Sequence, residues 1–235
     1  PHSSTNIPDN SGLNINEQDV NLMTDWFTDE LFWHRDSSRV VFETSRLYCD
    51  VERYRDDNDE PMSKKGHGVV YTRGSVGNII RDNQDDSEYI KKEYYDKHHT
   101  NLSKSVSRML SLIPEVVVVD CHSFSNTPLL HEESVNRPDF CLGFNDTRST
   151  PPFLGKIIDL LESKGYLVSL NDPFSGALLP SEYIDNDSIK GIMIEVNRRL
   201  YLDDKYNKNK DFNKIKDDIT EVLNIISDYE SECDI

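Results

Sequence analysis

Four consecutive β-branched residues, Val116-Val-Val-Val, run straight into Asp120-Cys121-His122-Ser123, and this stretch constrains the chain more than any other. Such a run reads as a fully buried strand at the centre of a sheet covered by helices. Side chains alternate along a strand, so Asp120 and His122 share one side if the strand continues that far. Ile192-Met-Ile-Glu195-Val-Asn-Arg198-Arg199 repeats the arrangement, with a carboxylate inside an apolar run. Residues 140–144 and 167–170 are further strand candidates. Helical patterns alternate with these strands through the second half, which predicts an α/β fold with a mixed, largely parallel sheet flanked by helices. Ligands of such sheets gather beyond the carboxyl ends of strands, where these polar residues fall.

The helices follow from spacing. Asn14 precedes Glu17 by three residues, and Val20, Met23, Phe27 and Leu31 follow at helical intervals. That predicts one amphipathic helix opened by a capping box, with Asp25 and Asp29 one turn apart on another face. Residues 40–42, 47–51 and 69–71 are short strand-like runs, and 54–65 reads as a charged surface loop. Tyr94, His98, Leu102, Val106 and Leu110 recur every fourth residue, predicting a long helix over 90–110 that ends before Pro114. Thr150-Pro151 opens a helix that Gly165 closes. Phe212, Ile215, Ile219, Leu223 and Ile226 predict an amphipathic helix within residues 205–235. No Gly/Ser- or Pro-rich linker divides the 235 residues, so the expectation is one domain, 1–235, with that last helix packed on it. The first residue is Pro rather than Met, so the natural beginning is expected upstream.

Charge and cysteine usage narrow the classes of function. A net charge of -17 without a basic stripe argues against a nucleic-acid partner, because phosphate would meet a repulsive field. No apolar stretch reaches the roughly 18 residues of a membrane span. Cys49, Cys121, Cys141 and Cys233 are scattered without paired-ligand spacing, and a buried thiol is their ordinary reading.

Several polar residues carry both a chemical and a bland reading. His122 can bind a divalent metal with Asp120 orienting its ring, or the two can simply close a strand. Glu195 can serve as a general base, or pair with Arg198 or Arg46. Arg46, Asp50 and Arg53 lie close together in Ser45-Arg-Leu-Tyr-Cys-Asp-Val-Glu-Arg53, as a carboxylate grip or as surface ion pairs. His2 alone says little, and His98 on the apolar stripe reads as packing. Nucleotide-binding Gly-rich signatures, HExxH and the GxSxG elbow are absent.

Taken together the motifs resemble those of the N-formylglutamate amidohydrolase family. The likeness runs through Pro1-His-Ser, Thr24-Asp-Trp, Ser45-Arg-Leu-Tyr-Cys-Asp-Val-Glu-Arg-Tyr and Glu60-Pro-Met. It continues through Gly66-His-Gly-Val-Val-Tyr-Thr, Tyr94-Tyr-Asp-Lys-His-His, Asp120-Cys-His-Ser-Phe and Arg137-Pro-Asp, then Asn171-Asp-Pro-Phe-Ser-Gly and Met193-Ile-Glu-Val-Asn-Arg-Arg-Leu-Tyr, over residues 1–204. The resemblance implies a zinc-carboxypeptidase-like fold, related also to aspartoacylases, and an active-site Zn2+ or another divalent ion. It implies His2 and His122 as metal ligands, Glu195 as base and proton shuttle, Arg46 as the group that polarises the carbonyl, and Arg53 as a substrate-carboxylate contact. The wider group places its acidic ligand three residues after the first histidine, where Thr5 stands here. Asp25 is therefore taken as the third ligand, with Glu43 and Asp50 as competitors. Arg198 is the candidate for a second substrate anion. The resemblance also implies that the missing upstream segment holds the strand that aims His2.

The activity so implied is metal-assisted hydrolysis of N-formyl-L-glutamate, or a similar N-acyl amino acid, to formate and the free amino acid. A cytoplasmic enzyme of histidine degradation is the natural setting, its partner a small-molecule substrate; the sequence gives no oligomeric state. Rival readings are a deacylase or carboxypeptidase for another acidic substrate, and a non-catalytic binding protein of the same fold.

Overall fold

The computed structural model describes residues 1–9, 11–130, 132, 134–145 and 150–232, so Cys233 and His131 lie outside the described residues. The chain forms two compact units.

The first unit comprises Pro1–Trp26, Val40–Leu102 and Pro128–Glu132. Its first helix, α1, is Glu17–Met23. The capping box is present two residues later than the sequence suggested. The Asn16 side chain accepts from the Asp19 N–H at 2.9 Å, and Asp19 Oδ2 accepts from the Asn16 N–H at 3.3 Å. The helix does not run on to Leu31. Thr24 is extended, Phe27 is left-handed, and a separate short helix α2, Thr28–Leu31, follows. Asp25 therefore sits in the break, where its N–H donates to the His2 carbonyl at 3.0 Å, and not on a helix face shared with Asp29.

Residues 40–42, 47–51 and 69–71 form no strands. Ser45 instead caps a turn, its carbonyl accepting the N–H groups of Tyr48 and Cys49, and a lone bond joins the Asp50 N–H to the Val69 carbonyl at 2.8 Å. Apolar runs this short satisfy a buried loop as well as a strand, and periodicity cannot separate the two. Their side chains form two small cores. Phe42, Tyr48, Cys49, Val51, Val69, Val70, Ile90 and Tyr95 make one, and Met23, Leu47, Tyr71 and Ile80 the other. The segment 54–65 ends in a 3-10 turn, Pro61–Lys65. The predicted long helix is three pieces in continuous succession: α3 Ser87–Ile90, a π turn Lys91–Tyr95, and α4 Asp96–Leu110.

The second unit comprises Phe27–Arg39, Ser103–Thr127 and Glu133–Ile235. Its strands are β1 Val116–Phe124, β2 Phe140–Gly143, β3 Val168–Leu170 and β4 Ile189–Asn197. They lie in the order β1-β4-β2-β3, with β1·β4 and β2·β3 parallel and β2·β4 antiparallel. The sheet is mixed and flanked by helices, as expected of an α/β protein. The placing of Val116–Val119 at its centre is corrected: β4 and β2 are the inner strands, and Val117, Val118 and Val119 on the outer β1 are only half-buried. Helix α5, Leu154–Ser163, begins after Thr150-Pro151 and ends at Lys164, followed by Gly165 at φ +88°. Helix α6, Phe212–Glu232, buries Phe212, Ile215, Ile219, Leu223 and Ile226 and lies against α2, α5 and β1. No helix of the described residues is long and apolar enough to cross a membrane.

Candidate active site

In the first unit the site is built on the turn that Ser45 caps. Leu47 and Cys49 are fully buried, and they pin the turn so that the Asp50 carboxylate points inward, itself fully buried. Asp50 Oδ2 accepts from Arg46 Nε at 3.2 Å and Nη2 at 2.8 Å, and from the Tyr71 hydroxyl at 2.6 Å. Arg53 Nη2 lies 3.4 Å from the same oxygen. Oδ1 takes the Glu52 N–H at 2.9 Å and His2 Nε2 at 2.9 Å. Burial by itself would push the Asp50 carboxyl up, but Arg46, Arg53 and His2 hold it well below the ordinary carboxylate range.

This carboxylate also fixes the chemistry of His2. Burial, followed by the Arg46 charge, lowers the imidazole pKa from its ordinary value, against the opposing pull of Asp50 and Asp25. Nε2 faces Asp50 Oδ1, and the neutral tautomer with its proton on Nε2 is the one that leaves Nδ1 able to bind a metal. Nδ1 lies 3.7 Å from Asp25 Oδ2, with both side chains buried. This separation is close to the about 3.4 Å expected of two ligands on a tetrahedral zinc ion.

The arginines are more committed than the sequence suggested. Arg46 spends Nε and Nη2 on Asp50, and Nη1 takes no part in that pairing. Arg53 donates from Nε to the His67 carbonyl at 3.0 Å, from Nη1 to the Glu52 carbonyl at 3.1 Å and from Nη2 to Tyr71 Oη at 3.3 Å. A paired grip on a substrate carboxylate is thereby reduced to what the second Nη1 proton can offer.

In the second unit, His122 and Glu195 are register partners across the parallel pair β1·β4, as are Asp120 and Met193. Aligned residues of paired strands point to one face, so the imidazole and the Glu195 carboxylate stand side by side. His122 Nε2 donates to Asp120 Oδ1 at 2.8 Å, and Asp120 Oδ2 accepts from the Leu178 N–H at 3.1 Å. Burial raises the Asp120 carboxyl, but the adjacent imidazole outweighs it and holds the pKa at about 2. Both histidines thus have Nε2 on a buried carboxylate, the outer-shell pattern that orients metal-binding imidazoles. Arg198, buried, donates from Nε to Ser123 Oγ at 3.1 Å and from Nη2 to the Ser123 carbonyl at 2.9 Å.

His2 and Asp25 in the first unit, and His122 in the second, each offer a ligand atom of the kind that holds a divalent metal. Of the competitors for the acidic ligand, Glu43 is exposed and Asp50 is occupied by its arginines. Sequence reasoning weighed Asp50 as a ligand and missed it as the hub that orients His2. Its spacing of four from Arg46 and three from Arg53 was the available signal. Tyr71 and Glu52 carried none.

The model of the N-formylglutamate amidohydrolase family matches residues 1–202. The solved structure of an N-formylglutamate amidohydrolase from Ralstonia eutropha JMP134 superposes with a TM-score of 0.82 at 22% identity, over 99% of this chain and 92% of that one. A protein from Agrobacterium tumefaciens superposes with a TM-score of 0.66 at 16% identity, over 96% and 89% of the two chains. These likenesses establish the fold. Among curated proteins none matches.

Proposed function

Since the chain belongs to the N-formylglutamate amidohydrolase family, we propose that its substrate is N-formyl-L-glutamate itself and that the reaction releases formate and L-glutamate. The chain is a metal-dependent amidohydrolase for substrates of this kind. The observation that carries the reading is the family match over residues 1–202, which includes His2, Asp25 and His122. The proposed ligands are these three side chains. Two imidazoles and a carboxylate suit zinc, and we infer Zn2+ as the ion, in a zinc-carboxypeptidase-like setting. Such an ion supplies Lewis acidity toward the amide carbonyl and acidifies water.

The remaining chemistry falls to the protein. Glu195, beside His122 on the sheet face, is proposed to take the proton of the attacking water and return it to the departing nitrogen. Water adds to the formyl carbon, the C–N bond breaks, and the amine leaves neutral instead of as an unstable anion. Arg46 Nη1 would stabilise charge developing on the carbonyl oxygen. Arg53 and Arg198 would bind the two carboxylates of the substrate. The setting is taken as cytoplasmic, and residues 1–235 as one metallohydrolase domain.

The test is formate release from N-formyl-L-glutamate by zinc-loaded protein, with N-acetyl-L-glutamate as the competing substrate. Formate should appear with wild type and fall by about 10³-fold or more in Glu195→Gln, whose zinc content stays whole. Acetate in place of formate would move the protein to a different deacylase activity. Fully loaded protein that turns over neither substrate would defeat the proposal.

A further inference from the structure

The motif Tyr94-Tyr95-Asp96-Lys97-His98-His99 has no part in the chemistry above. It spans the junction of the π turn Lys91–Tyr95 and α4. A π turn inserts one residue into a helix and re-aims the side chains that follow, and such turns concentrate at functional sites. Here it sets the Tyr95 and His99 rings 4.1 Å apart. The Tyr95 hydroxyl donates to the Arg53 carbonyl at 2.7 Å, and His99 Nε2 donates to the Val51 carbonyl at 2.9 Å. Between them, Asp96 accepts from Arg55 Nε at 2.8 Å and Nη2 at 3.1 Å. The helix therefore grips residues 51, 53 and 55 in alternation. That segment belongs to no helix or strand, yet it carries Asp50, Glu52 and Arg53. His98 differs, packing edge-on against Phe42 at 5.2 Å.

We propose that Tyr95 and His99 are positioning residues for the amidohydrolase reaction: by holding the Arg53 and Val51 carbonyls they fix where the Arg53 guanidinium meets the substrate carboxylate. The Arg53 side chain is tied at three nitrogens, so a backbone shift at residue 53 must move the guanidinium or break those bonds. Displacements of about 1 Å in such groups have large kinetic consequences. A carbonyl only accepts, so His99 must keep its proton on Nε2; burial, which lowers this imidazole below its ordinary pKa, is compatible with that neutral tautomer.

The inference rests on the proposed role of Arg53, and the experiment separates the two. Steady-state kinetics with N-formyl-L-glutamate would be measured for Tyr95→Phe, His99→Leu, His99→Gln and Arg53→Ala, with zinc content and Tm alongside. Tyr95→Phe and His99→Leu should each raise KM about tenfold, the scale of one lost hydrogen bond, with kcat within about twofold and full zinc. His99→Gln, which places an N–H donor near the position of Nε2, should restore most of the lost affinity. If Arg53→Ala raises KM while Tyr95→Phe and His99→Leu do not, the positioning role is wrong and the Arg53 assignment stands. If Arg53→Ala leaves KM unchanged, both fall. A lower Tm with unchanged KM would reduce the pair to packing.

Discussion

At the scale of single residues, Asp50 decides the most. It is one carboxylate between two guanidiniums, a tyrosine hydroxyl and an imidazole, with no exposure to water. Removing one charge of a buried network costs more than the network contributes, because the remaining charges stay buried without compensation. Asp50→Asn should therefore destabilise the fold by about 3–5 kcal/mol in urea unfolding. It should also weaken zinc binding about 10–100-fold, since the His2 tautomer loses its acceptor. Native zinc affinity in a destabilised Asp50→Asn protein would show that Asp50 serves the arginines and not the histidine.

At the scale of elements, α1 is a short helix made stable by contacts beyond itself. Seven residues are too few for a helix to persist alone. Asp19 closes its capping box and ties it to the turn at 74–78: Oδ1 accepts the Ser75 N–H at 2.8 Å and hydroxyl at 2.9 Å, and Oδ2 accepts Asn78 Nδ2 at 3.0 Å. Gly74 fits here because a Cβ would collide with the Asp19 carboxylate. Burial raises the Asp19 carboxyl, but Asn78, Ser75 and Asn16 together hold its pKa below the ordinary value. The folded pKa is depressed, so this stabilisation is complete above about pH 4 and is lost as pH falls through the folded value. Asp19→Asn should cost about 1–3 kcal/mol at pH 7 and flatten the loss of stability below about pH 4. An unchanged acid limb in pH-dependent unfolding would place the sensitivity in other carboxylates.

At the scale of the whole molecule, the proposed ligands come from positions 2, 25 and 122, so metal binding is expected to report on global folding. An ion that binds only the native state stabilises it by about 2.7 kcal/mol at one hundred times its Kd. For a chain of this length that corresponds to a rise in Tm of about 5–10 °C. Zinc should produce such a rise in wild type, a chelator should reverse it, and His122→Ala should abolish it. A zinc-dependent Tm that survives His122→Ala would locate the ion elsewhere.

What the sequence determined by itself is what depends on periodicity and local chemistry: β1 to β4, the long α6, the Gly165 stop of α5, and the Asp120/His122 pair on one strand face. A strand or helix repeats its own geometry, so residues two or four apart reveal it. The tertiary structure alone decided the rest. The register that sets Glu195 beside His122 and the break that holds Asp25 against His2 depend on partners more than twenty residues away, while the Ser45 turn and the π turn are local shapes that no regular period marks. A distant partner satisfies backbone and side-chain groups without leaving a repeat in the sequence, so no local pattern records where it comes from.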